Sequence, residues 1–249
     1  MPLVESGGGS SDRRAVRGTG RIGDFRMAVM SAKQLSSDEL MRRSFGTDSH
    51  VTIDCCCCSF IVRCFCPSEL TANHKARLFS ILEKNMKTAS CTIVLELELY
   101  MNSSWGWNGG TKFDELFATD SRLLLCFLTN LKTCCDSGLH DVTPPPPTSP
   151  DEPCAFVHFR FEVDTQRPVL YCYEIQLLEE VRGLKLGQKL LHILYKVAAI
   201  NQMTRVILTV FRFNYPAYTF FTKNGFKTDT SDPSRYGQSV DYSILSRLP

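Results

Sequence analysis

A mixed α/β fold built around one sheet is what this chain predicts, and three stretches predict it. The first is Val169 to Leu191, VLYCYEIQLLEEVRGLKLGQKLL. It opens as a strand, Val169 to Leu178, rich in β-branched and aromatic residues, turns at the charged segment Glu179 to Arg182, and enters a helix near Leu184. The second is Arg205 to Phe213, a strand centred on VILTVF that runs into a helix behind Asn214. The third is Cys154 to Val163, which alternates as CAFVHFRFEV. With helices between strands in mixed order, Val169–Leu178 and Arg205–Phe213 are expected as parallel neighbours.

The whole chain has 249 residues, enough for one good core or two small ones, and its 28 basic and 26 acidic residues leave a net charge of +2. That balance lacks the one-sided basic excess of a nucleic-acid footprint. Met1 to Ser49 is Gly/Ser-rich and then charged, and reads as a disordered tail before a single domain over residues 50–249. No signal-type apolar stretch, Met-Gly start or membrane-length run occurs, so a protein of nucleus and cytoplasm, away from membranes, is expected.

Val51 to Cys66, VTIDCCCCSFIVRCFC, is read as a buried apolar strand. Neighbouring cysteines on a strand point to opposite faces, so four in a row suit one metal poorly, and no metal is expected. Ser68 to Lys87 is a helix, with Ser68 as its cap and Leu78, Ile81, Leu82 and Met86 as its buried stripe. Arg122 to Asn130 is a strand. Leu131 to Pro153, with Pro144 to Pro147 at its centre, is a long surface loop within the domain. His158 on the next strand is read as structural.

Leu186, Leu190, Leu191, Leu194, Val197 and Ala198 give the central helix its apolar face. The first amides of such a helix have no backbone acceptor, and its dipole places partial positive charge there, so the turn favours an anion such as phosphate. Arg182, Lys185 and Lys189 add charge. The strand before it carries Tyr171, Tyr173 and Glu174. Downstream, Asn214 caps a helix, Pro216 fits its first turn, and Gly225 takes its C-terminal end. A last strand, Ser239 to Arg247, carries Tyr242.

Arg182-Gly-Leu-Lys-Leu-Gly187 resembles the pyrophosphate loop of the GNAT N-acetyltransferases, and Asn214 to Phe226, NYPAYTFFTKNGF, resembles their second signature. More narrowly, HFRFEVD, VLYCYEIQL, LTVFRFNYPAY and DYSILSR look like the N-alpha-acetyltransferase D family, which acetylates the N-terminal serine of histones. The similarity covers roughly Leu70 to Leu248. It includes Asn85-Met-Lys-Thr88 and the spacing from Tyr100 to Trp105 and Trp107. Ala89 to Leu99 is an insertion relative to that family.

The resemblance implies the GNAT acyl-CoA fold, with the two central parallel strands splayed and acetyl-CoA between them as co-substrate. It implies that Ile175, Gln176 and Leu177 offer backbone to the cofactor. Arg182, Gly183, Leu184, Lys185, Leu186, Gly187 and Gln188 would hold its pyrophosphate, and Asn214 its pantetheine. Lys185 stands where the family has a glycine. Glu174 is then the base, acting through a water, with Tyr171 and Tyr173 placing the amine. On an ideal strand Glu174 would face away from both tyrosines; the resemblance implies a bulge that brings all three to the site. Tyr100, Trp105, Glu162, Tyr173, Thr209 and Tyr242 would line the peptide pocket, Glu162 standing where the family has aspartate. Phe221 replaces the tyrosine that many relatives use as acid, so no acid is assigned there. The implied partner is the histone tail Ser-Gly-Arg-Gly, taken by a monomer without auxiliary subunit. Two other readings stay open: a GNAT enzyme acting on a lysine side chain or small amine, and an inactive GNAT-fold binding protein.

Overall fold

The computed structural model describes residues 17–46, 48–56, 58–87, 103, 105–131 and 151–249. Within them the elements run α1 (Arg17–Gln34), α2 (Ser37–Phe45), β1 (His50–Asp54), β2 (Cys58–Phe65), α3 (Ala72–Lys87), α4 (Gly109–Leu116), β3 (Arg122–Leu131), β4 (Pro153–Asp164), β5 (Arg167–Leu177), α5 (Leu186–Ile200), β6 (Arg205–Phe211), α6 (Tyr215–Lys223), β7 (Lys227–Thr228) and β8 (Tyr242–Arg247). All eight strands join one sheet in the order β1-β2-β3-β4-β5-β6-β8-β7. Only β5 and β6 pair in parallel; the other neighbours are antiparallel. This is the mixed α/β architecture that the strand and helix periods predict.

Alternation along β3 and β4 divides the core between the two faces. Leu124, Cys126 and Leu128 with Val157, Phe159 and Phe161 pack on the side of α2 and α5, together with Leu40, Met41, Leu190 and Leu194. Leu123, Leu125, Phe127 and Phe156 pack on the other side against Leu78, Ile81 and Leu82 of α3 and Leu116 of α4.

Three expectations need correction. The segment expected as a disordered tail holds two helices, Arg17–Gln34 and Ser37–Phe45. Val29, Ala32, Leu40 and Met41 are buried, and the charged residues between them face solvent, which is why composition hid the helices. Ser36 and Glu39 form a reciprocal capping box at the start of α2, with Glu39 N donating to Ser36 Oγ at 3.2 Å and Ser36 N to Glu39 Oε2 at 2.9 Å. Second, Val51 to Cys66 is a hairpin of two strands, turned where Cys55 N donates to Cys58 O at 2.8 Å. Third, Ser68 lies in a separate 3₁₀ turn, Pro67–Glu69, and the cap of α3 is Thr71, whose hydroxyl accepts from His74 N at 3.1 Å. The insertion 89–99, Tyr100 and the proline run 144–147 lie outside the described residues. No helix among the described residues is long and apolar enough to cross a membrane.

Candidate active site

The β5–β6 ladder is short. It runs from Val169↔Arg205 to Cys172↔Leu208 and stops. Beyond it β6 stays paired with β8 and β5 with β4, so the two parallel strands part. The cleft between them encloses about 1210 Å³. Tyr173 to Leu177 therefore present one backbone edge with no strand against it among the described residues, where a ligand can take the place of a strand.

A bulge sits at the mouth of the split. His158 pairs with Glu174 and Phe159 with Cys172, which leaves Tyr173 as the extra residue of β5. Without it, Tyr171 and Glu174 would lie on opposite faces of the sheet. With it, Tyr171 stands opposite Arg160 and Glu174 opposite His158. Both of those β4 residues face α4: His158 Nε2 bonds Ser121 Oγ at 2.9 Å, and Arg160 donates to the Glu115 carbonyl. Tyr171, Tyr173 and Glu174 are thus brought to one wall of the cleft.

The Tyr171 and Tyr173 rings lie 4.9 Å apart. Tyr171 Oη bonds Thr209 Oγ1 at 2.6 Å, a bridge from β5 to β6 at the throat of the split. Tyr173 donates to Glu162 Oε1 at 2.7 Å. Its ring stacks on His158 at 5.0 Å and carries the Arg160 guanidinium 4.7 Å from its centre. Burial pushes the Tyr171 phenol up to about 12, and burial with the Glu162 carboxylate raises Tyr173 as well, so neither ionises near neutral pH. Both serve as hydrogen-bonding groups. Burial lowers His158 to about 3, so it stays neutral under the stack, a structural histidine.

Glu174 is buried, and burial raises its pKa above the ordinary carboxylate value. Gln176 Nε2 donates to its Oε2 at 2.9 Å, and Lys112 Nζ lies 3.4 Å from its Oε1. Sequence reasoning missed Lys112 altogether. Its helix α4 was legible: Asn108 Oδ1 accepts from Thr111 N at 3.0 Å, and Phe113, Leu116 and Phe117 follow at helical spacing. That Lys112 would reach β5 was not.

The turn into α5 has the geometry that can cradle an anion. Arg182 leads into Gly183 at φ 75° and Lys185 at φ 61°, and α5 starts at Leu186 with no side chain capping its amides. Gly187 lets α5 approach α6 closely, since a Cβ there would meet Phe220 Cζ at 3.2 Å. Leu184 and Leu186 are buried, so only their backbone can serve a ligand. Gln188 lines the cleft. Arg182 does not stand alone at the cradle. It donates to Asn85 Oδ1 at 2.7 Å and to the Leu177 carbonyl at 3.2 Å, tying the turn to α3 and to the end of β5. Ile175, Gln176 and Leu177 line the cleft, but the Gln176 side chain is engaged with Glu174 and Asn85. Asn214 lines it too, with Oδ1 accepting from Ala217 N at 3.3 Å as the cap of α6.

Of the expected peptide-pocket residues, Trp105 is 51% exposed and packs 5.1 Å from both Tyr242 and Phe211. Thr209 bonds Tyr171, and Glu162, half-buried, accepts from Tyr173. Tyr100 falls outside the described residues. Phe211 and Phe220 also line the cleft. Phe221 is buried and brings no hydroxyl. Among the described residues no group of three His, Cys, Asp or Glu could hold a metal ion.

Comparisons with known proteins point the same way as the fold. Residues 146–226 match the model of the acetyltransferase (GNAT) family. An acetyltransferase from Streptococcus agalactiae is 13% identical over 76% of this chain and 98% of its own, with a TM-score of 0.51. The GNAT domain of the S. lividans protein PAT is 12% identical over 80% of this chain and 97% of its own, with a TM-score of 0.50. Nourseothricin acetyltransferase is 19% identical over 52% of this chain, and the match spans 65% of that enzyme, with a TM-score of 0.37. Over residues 146–226 the chain is thus similar to the acetyltransferase (GNAT) family, and the S. agalactiae acetyltransferase shares its fold.

Proposed function

We propose that the chain moves an acetyl group from acetyl-CoA to the α-amine of a protein N-terminus, and that its acceptors are histone tails beginning Ser-Gly-Arg-Gly, as in the N-alpha-acetyltransferase D family. The observation that carries this reading is the bulge at Tyr173, which sets two tyrosines and a buried carboxylate on one wall beside the split strands. The residues fit the co-substrate. The unpaired edge of β5 from Tyr173 to Leu177 suits a pantetheine arm, and the uncapped amides from Leu186 to Gln188 suit a pyrophosphate. The thioester supplies the activated acetyl group.

An N-terminal amine has a pKa of about 7.7–8.0, so a modest base suffices. In the proposed reaction the amine nitrogen attacks the thioester carbon, the C–N bond forms, the C–S bond breaks, and the amine proton passes through a water to Glu174. Tyr171 and Tyr173 orient the amine. The sulfur leaves as a thiolate, for which Phe221 offers no proton. A pocket narrow at the amine and acidic further on suits small first residues followed by arginine. Trp105, Tyr171, Tyr173 and Tyr242 supply the narrow wall, with Tyr100 as a further proposed member. Glu162 keeps one carboxylate oxygen beyond its bond to Tyr173 for a guanidinium. The enzyme is proposed to work as a monomer in nucleus and cytoplasm.

Mass spectrometry of a peptide panel tests this. Ser-Gly-Arg-Gly peptides should gain one acetyl group at the α-amine, and a bulky residue in place of the first Ser or Gly should abolish it. Replacing the arginine by alanine should weaken the reaction by about 1–3 kcal/mol, the value of a charge-assisted pair. Acetyl groups only on lysine side chains, or equal rates for Met-Asp and Ser-Gly starts, would overturn the reading.

Lys185 gives a second test. It holds a left-handed backbone at φ 61°, which costs a residue with a Cβ about 1–2 kcal/mol. Glycine removes that strain but adds freedom to the unfolded chain, a cost of about 0.5–1 kcal/mol. Lys185→Gly should therefore leave stability unchanged or raise it by up to about 1.5 kcal/mol in denaturant titrations, and calorimetry should show acetyl-CoA bound as tightly as before or more so. Weaker binding would mean that the Lys185 ammonium, and not the backbone, holds the phosphates.

A further inference from the structure

We propose that Lys112 is a positioning residue of the reaction, one that holds the Glu174 carboxylate ionised and in a single orientation. This rests on the reading of Glu174 as the base. The two carboxylate oxygens are held from different elements. Lys112 Nζ on α4 lies 3.4 Å from Oε1, with the two side chains only 14% and 8% exposed. Gln176 Nε2 donates to Oε2 at 2.9 Å, and Gln176 is itself fixed by Asn85 Nδ2 of α3 at 3.0 Å. Rotation of the carboxylate would break one bond or the other, so the lone pair left on each oxygen has a defined direction.

Lys112 is also placed to set the charge. A buried carboxylate favours its neutral form, which could not take a proton, and an opposite charge in contact opposes that preference. The charged and titratable groups around Glu174 among the described residues are few. From α4 come Lys112 and Glu115, 3.0 Å apart. From β4 come His158, neutral, and Arg160, whose guanidinium is committed to the Tyr173 ring, Ser121 and the Glu115 carbonyl. From β5 come Tyr173 and Cys172, both uncharged near neutral pH because burial raises them. From α3, Asn85 and Met86 bring no charge. Lys112 is the cation in contact, and Glu115 beside it acts in the opposite sense.

The test is an infrared titration of the Glu174 carboxyl in the full-length, ligand-free protein, its band identified by loss in Glu174→Gln. In Lys112→Met the midpoint should rise by about 1–3 units, the effect of an opposite charge in contact. In Lys112→Arg it should stay near the native value, and in Glu115→Gln it should fall. The acid limb of the pH–rate profile should move the same way. A merely structural role would lower activity at every pH and leave the midpoint where it was. A Lys112→Met midpoint within a few tenths of a unit of native would overturn the proposal. Native-like turnover in Glu174→Gln would instead overturn the base assignment, and the midpoints would still report whether Lys112 controls that carboxyl.

Discussion

Glu174→Gln is expected to lower turnover by about a hundredfold or more, within the range lost with a general base, while acetyl-CoA affinity stays close to native. Glutamine keeps the shape of the side chain and can still accept from Lys112, so the wall should not collapse. What it loses is the ability to take a proton. Burial raises the Glu174 pKa, and a base is most effective when its pKa lies nearer the working pH than that of a solvated carboxylate. Of the other acidic side chains near this wall, Glu162 is committed to the Tyr173 hydroxyl at 2.7 Å and Glu115 to Lys112 at 3.0 Å. Steady-state kinetics with a Ser-Gly-Arg-Gly peptide, alongside calorimetry with acetyl-CoA, separates the two terms. Turnover near native at neutral pH would mean that the amine arrives already neutral or that the proton leaves by another route.

Arg167→Met is expected to cost about 3 kcal/mol of stability, for reasons unrelated to the cleft. Arg167 opens β5, and its Nη2 donates to Asp229 Oδ1 at 2.9 Å and to Asp164 Oδ2 at 2.8 Å. Asp229 is buried beyond β7, where Ser231 N and Oγ donate to the same oxygen at 2.9 and 2.8 Å. Burial alone would raise its pKa, but Arg167 and the serine donors hold it well below the usual carboxylate range. Removing Arg167 leaves a buried charge without its counter-ion. The sign with pH follows from the depressed value. The stabilisation is complete above the unfolded carboxylate pKa of about 4 and disappears as pH falls through the folded one, so native and variant should converge in acid. Denaturant titrations at pH 7 and pH 3 read this directly. Asp229→Asn added to Arg167→Met should recover part of the loss. A variant of native stability at pH 7 would mean that water enters and solvates Asp229.

The site was only partly legible in the chain. The strand of Tyr171, Tyr173 and Glu174 and the turn into α5 were readable because local patterns, β-branched and aromatic runs and helical apolar spacing, decide them. That the three side chains share a face was not readable from alternation, which places Glu174 opposite the tyrosines. One extra residue of β5 against β4 reverses it. The helices before β1 were hidden because four buried apolar residues hold a charged segment. Their capping box at Ser36 and Glu39 was the readable sign.

By itself the sequence determined the strands around Tyr171 and Ile207 as parallel neighbours, the helices that follow each of them and the anion-favouring turn between the first strand and its helix. Each rests on interactions within a few residues, or on a periodicity that one face of one element must satisfy. Tertiary structure alone decided what surrounds Glu174. Lys112 comes from a helix 62 positions earlier, and Asn85 stands 91 positions before the Gln176 that it fixes. A contact across such separations leaves no mark on either segment, because its energy depends on how two helices settle against one face of the sheet rather than on the local preference of any residue.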